Sequence, residues 1–157
     1  MRVLRSLLIL AFLGFGVTAA AAHEFKIGDL EIVHPWARVT LKGSTVADGF
    51  MKIINHGSTP DRLLSVTVEF AKTGQIHDMK IDGDVMKMQE LTDGLEIPAG
   101  ATVELKPKAL HMMFIGVNQE LLPDTMMNGE LTFEKARKVK VEFMIEPAGT
   151  GHSMDDM

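Results

Sequence analysis

The amino-acid sequence predicts an all-β protein, an antiparallel β-sandwich of roughly eight strands. Apolar and polar residues alternate in several short runs, most clearly over residues 64–70 and 139–145, and this is the period of a half-buried strand. Turn-forming residues separate these runs, and no segment carries a convincing amphipathic helix pattern. Together these observations favour two facing sheets over a helical or mixed fold.

The start of the chain has the layout of a cleaved signal peptide, residues 1–22. Arg2 and Arg5 precede an apolar run, which small residues follow. The apolar run is short for a membrane span, so an uncleaved anchor is the weaker interpretation. We expect export to the periplasm and cleavage after one of residues 20–22, where the last option would leave His23 as the first residue.

The remaining sequence predicts one β-sandwich domain over residues 23–147 and a flexible tail over residues 148–157, which are polar and glycine-rich. The formal net charge is −5, and removal of the two signal-peptide arginines makes it more negative, which argues against a nucleic-acid partner. The chain has no cysteine. We therefore expect no lipoprotein anchor, no disulfides, and no blue-copper centre, which needs a cysteine thiolate. No later segment suits stable membrane insertion.

The first elements of the domain are predicted as strands. Residues 25–33 form a hairpin around Gly28-Asp29, and residues 47–55 form another strand. Trp36, the only tryptophan, is expected to be a buried anchor. The cleanest period-two run places four apolar side chains on the core face of one strand, namely Leu64, Val66, Val68 and Phe70.

The end of the domain is less regular. Residues 121–129 are predicted as a loop or a single helical turn, in which Met126 and Met127 serve as packing residues. The closing strands are predicted over residues 131–133 and 139–145. Residues 75–116 lie between the early and the late strands, and they contain the candidate functional residues.

The stretch from 75 to 116 contains two histidines and five methionines in the order of a soft-metal site. Its first half is two alternating runs joined by Asp82-Gly83, a strong hairpin signal. If this dipeptide is the whole loop, in a type I′ turn, His77 faces Met88 directly. Their Cβ atoms would then lie about 4.5–5.5 Å apart, within reach of one ion.

The second half supplies a strand in which His111 and Met113 are two residues apart, so both side chains leave it on the same side. Met112 points the other way, into the predicted core. Met79 and Met86 share the face of the hairpin ligands, and the sequence leaves open whether they bind metal or only support the site.

Two imidazoles and two thioethers, without cysteine or carboxylate, form a ligand set for copper and particularly for Cu(I). Calcium and magnesium prefer oxygen ligands, and zinc normally takes cysteine, histidine or acidic residues. We therefore predict that the metal ligands are His77, Met88, His111 and Met113. No catalytic residues are predicted.

The spacing of these residues resembles the histidine and methionine signature of the periplasmic copper chaperone family called PCuAC. Ten residues separate His77 from Met88, and twenty-two separate Met88 from the His111-x-Met113 pair, one more than is usual in the family. Further landmarks are the segments 34–38 and 95–100. The resemblance implies a cupredoxin-like Greek-key sandwich that binds Cu(I) and delivers it to a copper-accepting protein, such as a cytochrome c oxidase subunit or a second copper chaperone.

Two other functions stay open on the sequence. If His23 is the first residue after cleavage, its amine and imidazole could chelate Cu(II) as in copper monooxygenases, which would make the protein an enzyme. The methionines around the other histidines favour Cu(I) and count against this. The second alternative is a metal-free exported interaction module. A secondary Cu(II) site involving His152 or His23 is also possible, whereas no motif for hydrolase or transferase chemistry is visible.

Overall fold

A computed structural model describes residues 23–147, which form eleven strands and no helix. The predicted signal peptide, residues 1–22, and the predicted tail, residues 148–157, lie outside the described residues. The strands are β1 (Glu24–Ile27), β2 (Leu30–Arg38), β3 (Val46–Asn55), β4 (Asp61–Val68), β5 (Thr73–Asp82), β6 (Val85–Glu90), β7 (Leu95–Ile97), β8 (Thr102–Leu105), β9 (His111–Ile115), β10 (Met126–Phe133) and β11 (Arg137–Glu146). The predicted all-β class is confirmed, although the strands outnumber the eight expected.

The strands pair in the order β6-β5-β9-β3-β2-β11-β10-β4-β7, with β1 added to β2 and β8 to β3. All pairs are antiparallel except β2 with β11. Strands β5 and β4 lie toward opposite ends of this order, yet they pack against each other without pairing. The two halves of the strand order therefore face each other. At Gly74 on β5 even a Cβ atom would come within 2.3 Å of the Val66 carbonyl oxygen. The result is a sandwich whose two layers approach each other backbone to backbone at this point.

The core between the layers is mainly aliphatic and contains four phenylalanines. Phe114 makes edge-to-face contacts with Phe70 and Phe143, at ring-centroid distances of 5.1 and 5.6 Å. Trp36 is buried and stacks at 4.4 Å on Phe50, as expected for an anchor. Large aromatic rings bury 150–250 Å² each, so these contacts hold β3, β9 and β11 in fixed positions.

The β5–β6 hairpin projects from this core. The hairpin prediction is confirmed, but its register is not: the loop is Gly83-Asp84, and Met88 lies opposite Met79 instead of His77. Of the loop residues only Gly83 has a positive φ, 64°. This fits a type II′ turn with glycine first, whereas the predicted type I′ turn required Asp82 to adopt positive φ as well.

A bulge in β4 corrects the predicted core. The pairing of β4 with β10 shifts between Ser65 and Leu63, which leaves Leu64 without a cross-strand partner. The extra residue turns the strand, so Leu63 is fully buried and Leu64 is 44% exposed. Val66, Val68 and Phe70 are buried as predicted.

The region predicted as a loop or helical turn is instead partly strand. Met126 to Gly129 begin β10, and Met126 and Met127 pair with β11. Leu121 is fully buried before this strand starts. Within residues 23–147 there is no helix of the length and apolarity needed to cross a membrane.

Candidate metal centre

Two histidines meet where β5 pairs with β9. His77 lies directly opposite His111, and their ring centroids are 5.7 Å apart. His111 is only 6% exposed, and His77 is half-buried. Directly opposed residues share one face of a sheet, so both imidazoles project to the same side. Their separation leaves room for one ion between the rings.

Hydrogen bonds fix which ring nitrogen of each histidine is available. The Nδ1–H of His111 donates to the Ala109 carbonyl at 2.8 Å, which leaves Nε2 with a free lone pair. The Nε2–H of His77 donates to Oε1 of Gln75 at 2.9 Å, and its Nδ1 is buried without a partner. A buried, unpaired acceptor is costly unless something binds it. A metal ion held by His77 Nδ1 and His111 Nε2 would satisfy both rings.

The electrostatics also suit metal binding. Burial lowers the pKa of His77, and the nearby His111 lowers it further, while Glu90 opposes the shift. The neutral imidazole is the form that coordinates metal. His77 is thus held in its binding form without competition from a proton near neutral pH.

The methionines surround a cavity of about 250 Å³ beside these histidines. Met79 and Met88 reach it as an opposed pair on the hairpin, and Met113 reaches it from β9. The full lining consists of Arg38, Asp48, Phe50, Met79, Met88, Pro107, Lys108, His111 and Met113. Three thioethers and one imidazole therefore face one space.

The four predicted ligands are brought to one place, in an arrangement that differs from the predicted one. Met88, His111 and Met113 line the cavity, and His77 adjoins it through its pairing with His111. The corrected register puts His77 diagonal to Met88, with Glu90 opposite it. Diagonal neighbours have Cα atoms about 7–8 Å apart, a gap that a flexible methionine can span.

Sequence reasoning missed the residues that frame the cavity. Phe50 forms an apolar wall, and the Arg38 guanidinium lies over its ring at 5.5 Å. Arg38 also pairs with Asp48 at 3.7 Å. Asp48 lies opposite Met113, and Gln75 lies on the other side of Met113. Gln75 could have been found from the sequence, because it precedes His77 by two residues and so shares its strand face.

Other features offer weaker alternatives. Within residues 23–147 no group of three or more His, Cys, Asp or Glu side chains is placed to hold a metal ion. A larger surface cavity of about 540 Å³ lies between β4 and β10, but its lining contains neither histidine nor methionine. Two further histidines, His34 and His56, each pair with a carboxylate, Glu146 and Glu31. The soft ligands converge at the β5–β6–β9 cavity.

Comparisons with known proteins agree with this fold. The chain is 30% identical over 128 residues to "Putative lipoprotein Lxx21020" of Leifsonia xyli subsp. xyli (strain CTCB07), covering 76% of this chain and 75% of that protein. The solved structure titled "Copper-bound PCuAC domain from PmoF2" has a TM-score of 0.68 and 26% identity, covering 80% of this chain and 98% of that one. The "Apo PCuAC domain from PmoF1" has a TM-score of 0.68 and 28% identity, covering 80% and 99%.

A family model described as "Putative lipoprotein LpqE-like" matches residues 30–145, which include every strand from β2 to the penultimate residue of β11. The matched segment contains all four predicted ligands. The chain therefore belongs to the LpqE-like family and has the β-sandwich fold of PCuAC domains.

Proposed function

We propose that this protein is an exported copper chaperone that binds one Cu(I) ion through His77, Met88, His111 and Met113. Copper is its cargo and not a catalytic cofactor. The observation that carries the proposal is the convergence of the His111 imidazole and three thioethers on a cavity between β5, β6 and β9. The His77 imidazole lies directly opposite His111, and each histidine has one free ring nitrogen.

The chemistry of the donor set supports Cu(I) over other ions. Thioether sulfur is a soft ligand, and neutral imidazole binds copper well. Met88 is 48% exposed and gives the cavity an open side, so an ion could leave by ligand exchange. Phe50 is buried and gives the cavity one apolar wall, and the lining also carries two cationic side chains, Arg38 and Lys108, against one carboxylate, Asp48. Both features disfavour a doubly charged cation more than a singly charged one.

The comparisons support the same function. One similar PCuAC domain is titled as copper-bound, and the similarity spans nearly the whole of that domain at 26% identity. The lipoprotein descriptions of the family and of the relative support export. We propose delivery to a periplasmic copper protein, such as a cytochrome c oxidase subunit or a second chaperone, as the PCuAC resemblance implies.

We propose a non-enzymatic role. The monooxygenase alternative requires His23, whose carbonyl accepts a hydrogen bond from the His34 amide at 2.9 Å at the edge of β1. His23 is not among the residues that line the cavity with His111 and the three methionines. A secondary Cu(II) site at His23 or His152 stays a prediction.

The test is metal binding by the purified protein. With one equivalent of Cu(I), competition against a chromophoric chelator should give tight binding, and X-ray absorption should show both nitrogen and sulfur ligands. Under the same conditions Cu(II) should bind more weakly and give no intense blue colour. Ligation of Cu(I) by nitrogen and oxygen alone would contradict the proposal.

A matched variant separates the site from the fold. Met113→Leu keeps the volume and apolarity of the side chain but removes its sulfur, so it should weaken Cu(I) binding while thermal unfolding stays nearly unchanged. Met126→Leu makes the same exchange on β10 and should leave the affinity unchanged. Equal losses in both variants would mean that the site is misplaced.

A further inference from the structure

The outer end of the β5–β6 hairpin carries a methionine that the candidate centre does not use. Met86 is 54% exposed and lies on β6 two residues from Met88. Ile81 is opposite Met86, and the next pair of the same face toward the core is Met79 with Met88. Opposed residues, and residues two apart, share a strand face. Met86 therefore continues the line of thioethers outward from the cavity.

Exposure falls steadily along this line. Met86 is 54% exposed and Met88 48%, Met79 is half-buried, and His111 at the inner end is 6% exposed. Met86 does not line the cavity, whereas Met79, Met88 and His111 do. The thioether line thus runs from solvent at the tip of the hairpin to the half-buried His77 and the buried His111 at its base.

Packing does not account for Met86. Every residue of β6 is exposed, and β6 is the last strand at its end of the sheet order. A half-exposed methionine buries little apolar area there, so its contribution to stability resembles that of leucine. What sets methionine apart at this position is its sulfur, a soft ligand for Cu(I).

We propose that Met86 and Met88 form an outer, all-thioether Cu(I) site through which copper reaches and leaves the inner centre. This inference rests on the proposed function. Residues two apart on a strand are about 6.6–6.8 Å apart along it, and methionine has three rotatable side-chain bonds, so both sulfurs can hold one ion. Met79, opposite Met88, is placed to receive the ion next.

The transfer is a ligand exchange without a redox step. As a new Cu–S bond forms to Met79, the Cu–S bond to Met86 breaks, and the ion stays Cu(I) throughout. Bonds to His77, His111 and Met113 then form as the Cu–S bond to Met79 breaks, while the bond to Met88 is kept throughout. The outer site has no imidazole and more solvent around it, so it holds the ion more weakly and releases it faster. Copper accordingly moves inward on loading and outward on delivery.

The test compares rates with affinities in the full chain. The parent and Met86→Leu are loaded with one equivalent of Cu(I) and mixed by stopped flow with an excess of a chromophoric Cu(I) chelator. Met86→Leu should release copper several-fold more slowly while its equilibrium affinity stays that of the parent. Leucine keeps the apolar surface, so a slower rate reports the loss of sulfur. Met126→Leu, the matched control, should leave the rate unchanged.

A gain of function and a direct probe complete the design. Ile81→Met adds a thioether opposite Met86 and should speed release. In protein labelled at the methionine methyl carbons, titration with Ag(I), a soft ion of the same charge, should shift the Met86 signal together with that of Met88. Parent-like release by Met86→Leu, or a Met86 signal unmoved by Ag(I), would overturn the outer site. A parent that binds no Cu(I) at all would instead overturn the proposed function.

Discussion

At the scale of single residues, the candidate centre depends on which ring nitrogens of His77 and His111 are free to bind a metal ion. Strand periodicity predicts that His77 and Met88 share one face of the hairpin and that His111 and Met113 share one face of their strand, but it does not separate Met88 from Met79 and Met86. The ligand set therefore stays a prediction. The available ring nitrogens were not predictable. They follow from the Ala109 carbonyl and the Gln75 side chain, whose positions depend on the folded backbone.

The first prediction ranks the ligands. His77→Gln, His111→Gln, Met88→Leu and Met113→Leu should each lower Cu(I) affinity by roughly 100-fold or more, since loss of even an outer partner of a metal ligand costs about 10–100-fold. Chelator competition measures the affinities, and circular dichroism checks the fold. Met127→Leu is the control. An undiminished affinity in any of the four would remove that residue from the ligand set.

The second prediction concerns Gln75, which accepts the Nε2–H hydrogen bond of His77. Gln75→Leu removes the acceptor, so the ring is free to hold its proton on Nδ1, and Cu(I) affinity should fall by about tenfold. Gln75→Glu keeps an oxygen acceptor and should restore most of the affinity. Ring nitrogen NMR shifts of the metal-free protein report the tautomer. An unchanged tautomer in Gln75→Leu would show that the hydrogen bond does not set it.

The third prediction follows from the lowered pKa of His77, which burial and the neighbouring His111 cause. A folded-state pKa below the unfolded value of 6.5 favours the neutral ring, so this contribution to stability is present above pH 6.5 and is lost as the pH falls through the folded pKa. The metal-free protein should lose stability on acidification in that window, and His77→Asn should lose less. A carbon-13 titration that places the His77 pKa at or above 6.5 would contradict this.

At the scale of elements, both hairpins were predictable from the sequence, but only the register of the β1–β2 hairpin was predicted correctly. Gly28-Asp29 forms the loop expected for β1 and β2. For β5 and β6 the dipeptide signal gave the correct hairpin and the correct faces, but the turn type decided the register, and it depends on backbone angles that Asp82 does not adopt. The Leu64 bulge was hidden for a similar reason, since it arises from pairing with β10, distant in sequence.

The fourth prediction tests the turn. Gly83 has φ of 64° and open space around its missing Cβ, so Gly83→Val is opposed by backbone strain alone, about 1–2 kcal/mol. Strain at the turn should loosen the pairing of Met79 with Met88 and weaken Cu(I) binding without removing a ligand. Gly28→Val is the matched control, because Gly28 has φ of 56°, equally open space and a hairpin away from the centre. It should cost similar stability but leave Cu(I) affinity intact. Equal affinity losses in the two variants would show that the effect is general destabilisation.

At the scale of the whole molecule, composition and periodicity were sufficient for the β-sandwich, since the alternating runs need two facing sheets to bury their apolar sides. The parallel pairing of β2 with β11 and the order of the strands were not predictable, because they bring together segments from the two ends of the domain. That order places β9 between β5 and β3, and so sets His111 and Met113 between the hairpin and Asp48.

The fifth prediction concerns the effect of bound Cu(I) on the thermal stability of the whole protein. An ion that binds only the folded protein stabilises it by about 2.7 kcal/mol when its free concentration is 100 times the dissociation constant, on the order of 10 °C in Tm for a domain of this size. Cu(I) should raise the Tm of the parent in differential scanning calorimetry and raise that of Met113→Leu much less. Calcium at the same concentration should have no effect. The same rise in parent and variant would place the copper elsewhere.

The pairing of β5 with β9 also determines at which stage of folding the candidate centre is completed. The segment between His77 and His111 contains β6, β7 and β8, so the two histidines can pair only when this long loop closes. The entropy cost of closing the loop is incurred before the contact between β5 and β9 can stabilise the fold. The β5–β6 hairpin requires only local contacts and offers thioethers, but it lacks His111 and Met113. A chain that has not yet folded accordingly lacks the complete centre, so the proposed binding of copper there requires completion of the sandwich.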